Sequence, residues 1–377
     1  MKQQNIIIIL LDGARHDSLK LLTSFNAWTK KGTTFSKMIT YGPQTVTAIH
    51  ALLSGMNGNR SGANNYYGIL NFKKKLCKTL PQYLKESNYT TSADVLQDIV
   101  LPNQGFDSIT LHDEKKDDIV QKHVNLIKQH AELRKQNKNF FLFLQYSPIH
   151  TYVVHEVLKK YDYDDYNSKY FNNPEKNLEE YNKIVSNTGK YLDKIMQTSE
   201  ELGLFKDTLF ILFSDHGASV GEKEGELGYG RFCYDYTIKS FATFIQPEFF
   251  PEQKEVKKLS RIIDFFPTIL DVLNIPESPM PLKIQGKSLF PLIQDEPDER
   301  IALSEASGVE QKPTNIPPRI HSIRTPNWKL IYNTETKEKE IYNLEEDPKE
   351  KQNLIGTNPE KEKELFKKLL ELNPSIN

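Results

Sequence analysis

Four residues of the kinds that bind divalent metals stand at or just beyond the ends of three short apolar runs. The runs span residues 6–11, 140–145 and 208–213, and the residues that follow them are Asp12, His150, Asp215 and His216. Singly, an Asp after a strand is more often a helix cap, and a lone His is more often an ordinary surface or core residue. Metal-binding residue types after all three apolar runs are much less likely to arise by chance than a single such residue. Because carboxylates with imidazoles suit Zn²⁺ or Mn²⁺ ahead of Ca²⁺ or Mg²⁺, the sequence predicts a divalent-metal site.

Residues 41–50 supply a hydroxyl group that could take part in the same chemistry. They join an extended piece to a helical pattern, which puts Thr45 at the helix N-terminus. Free backbone N–H groups and the helix dipole favour a phosphate or sulfate there. Thr45 could be a cap or a nucleophile, and this segment alone favours the cap because Thr is a common N-cap residue. The predicted metal cluster nevertheless offers the activation that a hydroxyl nucleophile needs.

The three apolar runs are the elements that must position these side chains. Each is short, unbroken, rich in Ile, Leu and Phe, and bounded by Gly or Pro. This pattern is typical of central strands that are buried on both faces of a parallel sheet. Ligands in such sheets bind beyond the carboxyl ends of the strands, so we expect the candidate side chains to meet at one edge.

The rest of the chain alternates strand and helix patterns, as in a doubly wound α/β fold, with helices predicted over residues 80–86, 117–136 and 178–204. From about Pro291 the sequence pattern changes to short strand-like segments separated by prolines. A charged helical pattern follows at residues 359–372. We therefore predict a catalytic domain over residues 1–290. Residues 291–377 are predicted to form a smaller C-terminal subdomain with an antiparallel sheet and a terminal helix.

Composition limits the remaining function classes. The chain has 377 residues and a net charge of −1, with no long run of one sign, so nothing indicates nucleic acid or an anionic membrane surface. Cys77 and Cys233 are too few for a disulfide framework. The first apolar run is too short for a signal segment or a membrane span, and no other long apolar stretch follows. We expect a soluble, cytoplasmic protein.

Several motifs resemble the sulfatase branch of the alkaline phosphatase superfamily, in the order in which that family carries them. They are Leu11-Asp12-Gly13, the segment 45–55, Ser214-Asp215-His216-Gly217, the segment 263–271, Ser322 to Leu330, and Ile341 to Pro348. The resemblance covers nearly the whole chain. It implies an alkaline-phosphatase-like α/β fold, with a central, mostly parallel sheet between helices and a smaller C-terminal α+β subdomain.

The first departure from the family falls on the nucleophile. Sulfatases of this fold carry C-x-P-x-R, whose Cys or Ser becomes formylglycine ten residues before a turn-closing Gly. Ten residues before Gly55 stands Thr45, which cannot become formylglycine, and the Pro and Arg positions hold Thr47 and Ile49. Thr at this place resembles phosphoryl-transferring relatives, namely the nucleotide pyrophosphatase/phosphodiesterases and the phosphoglycerol and phosphoethanolamine transferases.

Two further departures concern the binding of sulfate and metal. The family's G-K-x-H segment is missing, since residues 92–97 contain neither Lys nor His. The second Asp of the family's Asp-Asp pair is Gly13 here. All of the missing residues take part in the chemistry of formylglycine sulfatases.

Resemblance to the one-metal transferases implies one complete set of metal ligands. That set is Asp12, Thr45, Asp215 and His216. The additional Asp-x-x-x-His of the two-metal phosphodiesterases is absent, although a second metal near His150 and His321 is possible. His150 is further a candidate leaving-group acid or anion contact. The remaining candidates for substrate contact are His155, His321, Lys239 and Arg60, whose alternative is an ordinary solvated or core role.

These observations predict a metal-dependent hydrolase or phosphotransferase that acts on phosphate esters, with diesters favoured. The substrate would be a small molecule, or an ester of a glycan or lipid head group. Its leaving group is expected to contact residues 161–170 and the C-terminal subdomain. One alternative is a sulfatase that works without formylglycine, and another is a non-catalytic binding protein that retains the fold.

Overall fold

The structure, a computed structural model, describes residues 4–158, 169–306 and 318–376. In this part of the chain, a nine-stranded sheet has the order β4-β3-β5-β1-β6-β7-β2-β8, and β9 also pairs with β2. Its strands are β1 Asn5–Leu11, β2 Thr33–Ile39, β3 Tyr89–Val95, β4 Ser108–Leu111, β5 Asn139–Tyr146, β6 Thr208–Phe213, β7 Lys239–Ile245, β8 Lys254–Val256 and β9 Ser260–Arg261. From β4 to β6 every pairing is parallel, whereas β7 is antiparallel to both β6 and β2.

Helices cover both faces of this sheet. They are α1 His16–Leu19, α2 Thr23–Lys30, α3 Thr45–Ser54, α4 Gly58–Ser61, α5 Leu80–Glu86, α6 Ile119–Ala131, α7 Pro148–Tyr152, α8 Pro174–Glu201, α9 Asp235–Ile238, α10 Phe265–Leu273, α11 Phe290–Ile293 and α12 Pro359–Leu372. Short 3-10 turns cover Gly68–Asn71, Asp98–Val100, Glu132–Gln136, Leu204–Lys206, Ile262–Asp264 and Pro374–Ile376, and Val153–Val157 is a π-helix. None of the described helices combines the length and the apolar character that crossing a membrane requires.

Strand β1 shows why both faces must be covered. All of its residues are buried, and successive side chains point to opposite faces. Ile6, Ile8 and Leu10 belong to the core that also contains α3 and α10. Ile7 and Ile9 belong to the opposite core, together with α2, α6 and α8. The apolar runs of the sequence are therefore central strands, as predicted.

The second sheet is antiparallel and has the order β10-β11-β12-β13. Its strands are β10 Ala302–Ala306, β11 Ile320–Arg324, β12 Trp328–Asn333 and β13 Lys339–Asn343. One face shares a hydrophobic core with α12 and with the central sheet. The predicted α/β class, with a smaller antiparallel sheet near the C-terminus, is confirmed. The domain boundary between residues 290 and 291 remains a prediction, and it falls within α11.

The C-terminal sheet is hydrogen-bonded to the segment that leads into α3. The backbone N–H of Glu305 donates to the carbonyl of Tyr41 over 2.8 Å, and the Tyr41 hydroxyl donates to the Glu305 carboxylate. Ser304 Oγ donates to the Thr40 carbonyl over 2.6 Å. These buried bonds fix the approach of the chain to Thr45 from outside the central sheet.

Candidate active site

The carboxyl ends of β1 and β6 bring the candidate metal ligands together. Since β1 lies directly between β5 and β6, residues that follow these strands meet at one edge. Ligand atoms of Asp12, Asp215 and His216 all lie within 4.8 Å of one another, and all three residues are buried. The convergence that the strand ends predict is present in the fold.

Thr45 faces this cluster. Its Oγ1 donates to Asp12 Oδ1 over 3.0 Å and lies 3.3 Å from His216 Nε2. Thr45 is the first residue of α3, and Gln44 occupies the N-cap position without a side-chain capping bond. The interpretation of Thr45 as a helix cap is therefore wrong, because its hydroxyl turns away from the helix and towards the carboxylate.

His216 is held in one tautomer. Its Nδ1 lies 2.8 Å from the carbonyl oxygen of Gly217, and a carbonyl only accepts, so Nδ1 carries the hydrogen. Nε2 then presents its lone pair to the cluster, 3.5 Å from Asp215 Oδ2 and 3.8 Å from Asp12 Oδ1. A backbone partner on one ring nitrogen is the usual support for a metal-binding imidazole.

The chemistry of this group fits a divalent cation. Asp215 Oδ2 is buried and accepts no hydrogen bond from the described residues. Burial, and then the charge of Asp12, raises the pKa of Asp215 to about 6. Two adjacent buried carboxylates without a cation are unfavourable, and an ion would satisfy both. Asp12, Asp215 and His216 can hold such an ion, with the Thr45 hydroxyl beside them.

The carboxylates are held in place by Gln145, which the sequence analysis missed, and by Gly13, which it noted only as the position of a lost Asp. Gln145, a buried residue of β5, donates from Nε2 to Asp12 Oδ2 and accepts from the backbone N–H of Leu96 over 2.8 Å. The Gly13 N–H donates to Asp215 Oδ1 over 3.0 Å. Gly13 has φ of 72°, a left-handed conformation that glycine adopts without strain. This turn is what directs the N–H towards Asp215.

His150 lies at the same edge, on the short helix α7. Its Nδ1 is 3.4 Å from Asp12 Oδ1 and 3.0 Å from the Tyr229 hydroxyl. Burial opposes protonation, but the charge of Asp12 prevails and raises the pKa of His150 above its ordinary value. The Tyr229 ring also lies over His216, with ring centroids 4.5 Å apart. Tyr229 is a site residue that the sequence analysis missed, because its loop follows no regular pattern.

The other predicted substrate contacts are spread over several regions. Arg60 is exposed in α4, and its backbone carbonyl accepts from Lys73 Nζ over 2.9 Å. Lys239 begins β7, where its charge acts on His16 and Asp235.

The remaining two candidates are histidines. His155 lies in the π-helix that follows α7. His321 is buried in β11, with Nδ1 2.8 Å from Glu305 Oε1, on the sheet that holds the segment before Thr45. The stretch 161–168, expected to contact the leaving group, lies outside the described residues. The substrate-contacting roles of all these residues remain predictions.

Comparison with known proteins places the chain in a family. The family model described as Sulfatase matches residues 4–275, and the one described as N-sulphoglucosamine sulphohydrolase, C-terminal, matches residues 225–374. The chain therefore belongs to the sulfatase family and is a hydrolase of the alkaline phosphatase superfamily. Enzymes of this family are metal-dependent, in agreement with the ligand cluster at the strand ends.

Individual relatives are distant. Arylsulfatase K of Gallus gallus is 24% identical over 160 residues, which cover 40% of this chain and only 28% of that relative. A structure solved with its substrate D-glucosamine-2-N,6-O-disulfate has a TM-score of 0.77 at 17% identity, covering 100% of this chain and 98% of the other. The phosphonate monoester hydrolase of Agrobacterium radiobacter has a TM-score of 0.75 at 15% identity, covering 100% and 96%. At these identities the structures establish the shared fold alone.

Proposed function

We propose that this sulfatase-family protein hydrolyses or transfers phosphate esters, preferentially diesters, with Thr45 as the nucleophile. The observation that carries the proposal is the position of the Thr45 hydroxyl, 3.0 Å from Asp12 Oδ1 and 3.3 Å from His216 Nε2. It stands where sulfatases carry formylglycine. The substrate class is a small-molecule, glycan or lipid head-group ester, and a cytoplasmic location remains a prediction from the sequence.

The metal would be held by Asp12, Asp215 and His216, with Thr45 beside them. When bound, a divalent cation supplies Lewis-acid stabilisation of anionic oxygens and lowers the pKa of an adjacent hydroxyl. Zn²⁺ or Mn²⁺ suits this mixed carboxylate and imidazole set. A second cation near His150 and His321 stays a prediction.

Bond formation begins at Thr45. Its Oγ1 attacks phosphorus while the bond between phosphorus and the leaving oxygen breaks, and Asp12 Oδ1 accepts the hydrogen of the hydroxyl. The first backbone N–H groups of α3 have no acceptor within the helix, so they can stabilise the non-bridging oxygens. His150, whose pKa is raised, can donate a proton to the leaving oxygen. Water or an acceptor alcohol then releases the phosphoryl group from Thr45.

The charges in the site favour a monoanion. Within the described residues, no Lys or Arg forms an ion pair with Asp12 or Asp215, and the basic groups that reach these carboxylates are His150 and His216. With a divalent cation balancing the two carboxylates, protonated His150 leaves the site with a small net positive charge. A phosphate diester carries a single negative charge, whereas a monoester at neutral pH carries nearly two. This balance supports diesters over monoesters.

A sulfatase that works without formylglycine is the main alternative, and it is favoured by relatives that are described as sulfatases. Sulfate esters are also monoanions, so charge alone does not separate the two. The release of the covalent intermediate separates the two substrate classes. A sulfate on Thr45 lacks the hemiacetal route by which formylglycine sulfate is eliminated. A non-catalytic protein that retains the fold is the third possibility, but the intact set of Asp12, Thr45, Asp215 and His216 argues against it.

Replacement of Thr45 tests the proposal. Thr45→Ala should lower turnover of an aryl phosphate diester at least about a thousandfold, because only binding and electrostatic catalysis remain. Thr45→Ser keeps the hydroxyl and is the matched control, with retained activity. Metal content should persist in both, and the stability of Thr45→Ala should fall by no more than about 2 kcal/mol, the cost of losing the hydrogen bond to Asp12. Mass spectrometry of acid-quenched parent enzyme should find a phosphoryl adduct on Thr45. Near-normal turnover by Thr45→Ala would show that Thr45 is not the nucleophile.

A further inference from the structure

Basic and acidic residues are unevenly distributed along the chain. The whole chain has 49 Lys and Arg residues against 50 Asp and Glu residues. Residues 18–85 contain ten of the basic residues and no acidic residue, so this segment is strongly positive and the rest of the chain is net negative. The overall net charge of −1, which gave no indication of an anionic membrane surface, conceals this asymmetry. A positive segment of this kind favours an anionic partner.

Three consecutive lysines of this segment have no counter-ion. Residues 73–75 are exposed lysines, and none of them forms an ion pair with a residue that the structure describes. By contrast, Lys78 pairs with Glu86, and Lys85 Nζ lies 2.7 Å from Asp107 Oδ1. The charge of residues 73–75 is therefore free to attract an anionic partner, whereas the charge of the later lysines is balanced within the fold.

Large apolar side chains are exposed beside these lysines. Leu70 is 83% exposed, Leu76 is 41% exposed and Tyr66 is 37% exposed. In the described part of the chain, the other exposed large hydrophobic residues are scattered, at Leu21, Leu111 and Ile355. Single exposed leucines are common, but a group of them indicates a contact surface, because covering each one is favourable. We call Tyr66, Leu70, residues 73–75 and Leu76 the lysine–leucine patch.

The patch belongs to a packed segment of the fold. Ile69 and Phe72, which flank Leu70, are buried in a small core together with Val46. Val46 follows Thr45 in the first turn of α3. Because the neighbours of Leu70 are held inside, its exposure is a consequence of how the segment packs. The core also ties the patch to the helix that carries the proposed nucleophile.

The patch borders the active site. Burial, and then the charges of Asp12, Asp215 and Tyr66, raise the pKa of Tyr229 well above its ordinary value. Tyr66 therefore lies near Tyr229, whose ring centroid is 4.5 Å from that of His216. A surface that covers the patch would bring its outer groups to the mouth of the candidate metal site.

We propose that the lysine–leucine patch docks this protein on an anionic lipid surface. The lysines would lie beside the anionic lipid head groups, with Leu70 and Leu76 inserted among the head groups. An anionic glycan would pair with the lysines equally well, but it would leave both leucines in water. The exposed leucines therefore favour a lipid surface. Docking rests on the proposed function only for its purpose, which is to bring diesters of lipid head groups to Thr45.

Co-sedimentation with vesicles tests the docking without any turnover. The parent should bind phosphatidylcholine vesicles that contain about one third phosphatidylglycerol at least about tenfold more tightly than pure phosphatidylcholine vesicles, and added salt should weaken this binding. Combining Lys73→Gln, Lys74→Gln and Lys75→Gln should weaken binding to the anionic vesicles at least about thirtyfold. Leu70→Ser should weaken it about fivefold, because less apolar surface is covered.

The matched control combines Lys349→Gln, Lys351→Gln and Lys363→Gln. These lysines are exposed and lie outside the positive segment, so the control loses the same charge and should bind the anionic vesicles as the parent does. Equal binding by the two triple variants would overturn the docking, and so would a parent that does not prefer anionic vesicles. Binding of the parent to heparin without binding to vesicles would show a glycan partner and would also overturn it.

Turnover separates a failure of the docking from a failure of the proposed function. The triple variant at residues 73–75 should cleave an aryl phosphate diester free in solution within about twofold of the parent rate, and should lose at least about tenfold on a diester presented in anionic vesicles. An equal loss on both substrates would overturn the docking role. A parent that binds anionic vesicles as expected but cleaves neither diester would support the docking and contradict the proposed function.

Discussion

Asp215 carries the clearest sign of an ion at the strand ends. Its Oδ2 is buried without a donor among the described residues, and the Gly13 N–H holds its Oδ1. Its raised pKa, about 6, arises from burial and from the neighbouring Asp12 carboxylate. A cation would relieve both effects, because a bound metal keeps its carboxylate ligands ionised. We therefore expect metal binding at this candidate site to depend more on Asp215 than on Asp12, whose carboxylate also bonds to Thr45 and Gln145.

Removal of this carboxylate should abolish metal binding. Parent protein should contain about one equivalent of Zn²⁺ or Mn²⁺, and Asp215→Ala should contain almost none while remaining folded. Asp17→Ala is the control, because Asp17 lies near the same edge but its side chain is 62% exposed and bonds to Arg15. Elemental analysis of the purified proteins gives the answer. Full metal occupancy in Asp215→Ala would contradict the ligand assignment.

Tyr229 should influence turnover through His150. Its hydroxyl lies 3.0 Å from His150 Nδ1, and burial together with the charges of Asp12 and Asp215 raises its pKa well above the ordinary value, so it remains a neutral phenol. Tyr229→Phe should lower kcat about three- to tenfold, as expected for the loss of one hydrogen bond, and leave metal content unchanged. Tyr332→Phe is the control, since Tyr332 lies in β12 of the C-terminal sheet with its ring against Phe366. Equal kcat in the parent and Tyr229→Phe would exclude this role.

At the residue scale, residues of the candidate site that follow an apolar run, or that stand at a family motif position as Thr45 does, were predictable from the sequence, whereas Gln145 and Tyr229 were not. Asp12, Asp215 and His216 could be found because each stands at the end of such a run. Gln145 could not, because it lies within a run and looked like part of the strand itself.

At the scale of elements, the loop between β6 and β7 completes the site. It supplies Asp215, His216 and Tyr229, and it also contains the buried carboxyl group of Glu226. Glu226 Oε1 accepts from the backbone N–H groups of Arg231 and Phe232 over 2.9 and 2.8 Å. Burial raises the pKa of Glu226 to about 7. The conformation of this loop is therefore linked to the protonation of Glu226.

This link predicts how stability changes with pH. The folded-state pKa of Glu226 exceeds its ordinary value of 4.5, so the folded protein binds the proton more tightly than the unfolded chain does. The resulting stabilisation is fully present below about pH 4.5 and is lost as pH rises through about 7. Glu226→Gln should remove about 3 kcal/mol of this pH-dependent loss in the free energy of unfolding. Denaturant titrations at several pH values measure it.

The control for this experiment is Glu224→Gln, because Glu224 lies in the same loop but is exposed. It should keep the pH dependence of the parent. A decline between pH 4.5 and 7 that is equally steep in Glu226→Gln would contradict the assignment to Glu226.

Element boundaries followed the sequence where a local signal set them. Leu80–Glu86 and Pro359–Leu372 have the predicted bounds. By contrast, the helix predicted over 117–136 begins at Ile119, because the Asp118 side chain accepts from the Gln121 N–H and caps it, and it changes to a 3-10 turn at Glu132. The helix predicted over 178–204 begins earlier, at Pro174, since Pro is favourable in the first turn.

At the scale of the whole molecule, the central sheet and the antiparallel C-terminal sheet were both predictable from periodicity. The order of the strands was not. Strand β2 follows α2 in sequence, yet it lies beyond β7 and antiparallel to it, and the apolar pattern of a strand does not specify its neighbour. The attachment of β10 to residues 40–41 is likewise a contact between distant parts of the chain. Overall resemblance indicates a sulfatase, whereas the phosphorus chemistry that we propose rests on Thr45.

Side-by-side kinetics on three aryl esters with the same leaving group test that conclusion most directly. The substrates are a phosphate diester, a phosphate monoester and a sulfate, and Thr45→Ala is measured in parallel to exclude contaminating activity. We predict that the diester is cleaved fastest and exceeds the sulfate at least about tenfold in kcat/KM, or about 1.4 kcal/mol of differential transition-state stabilisation. A preference for the sulfate ester would contradict the assignment of Thr45 as a nucleophile for phosphorus.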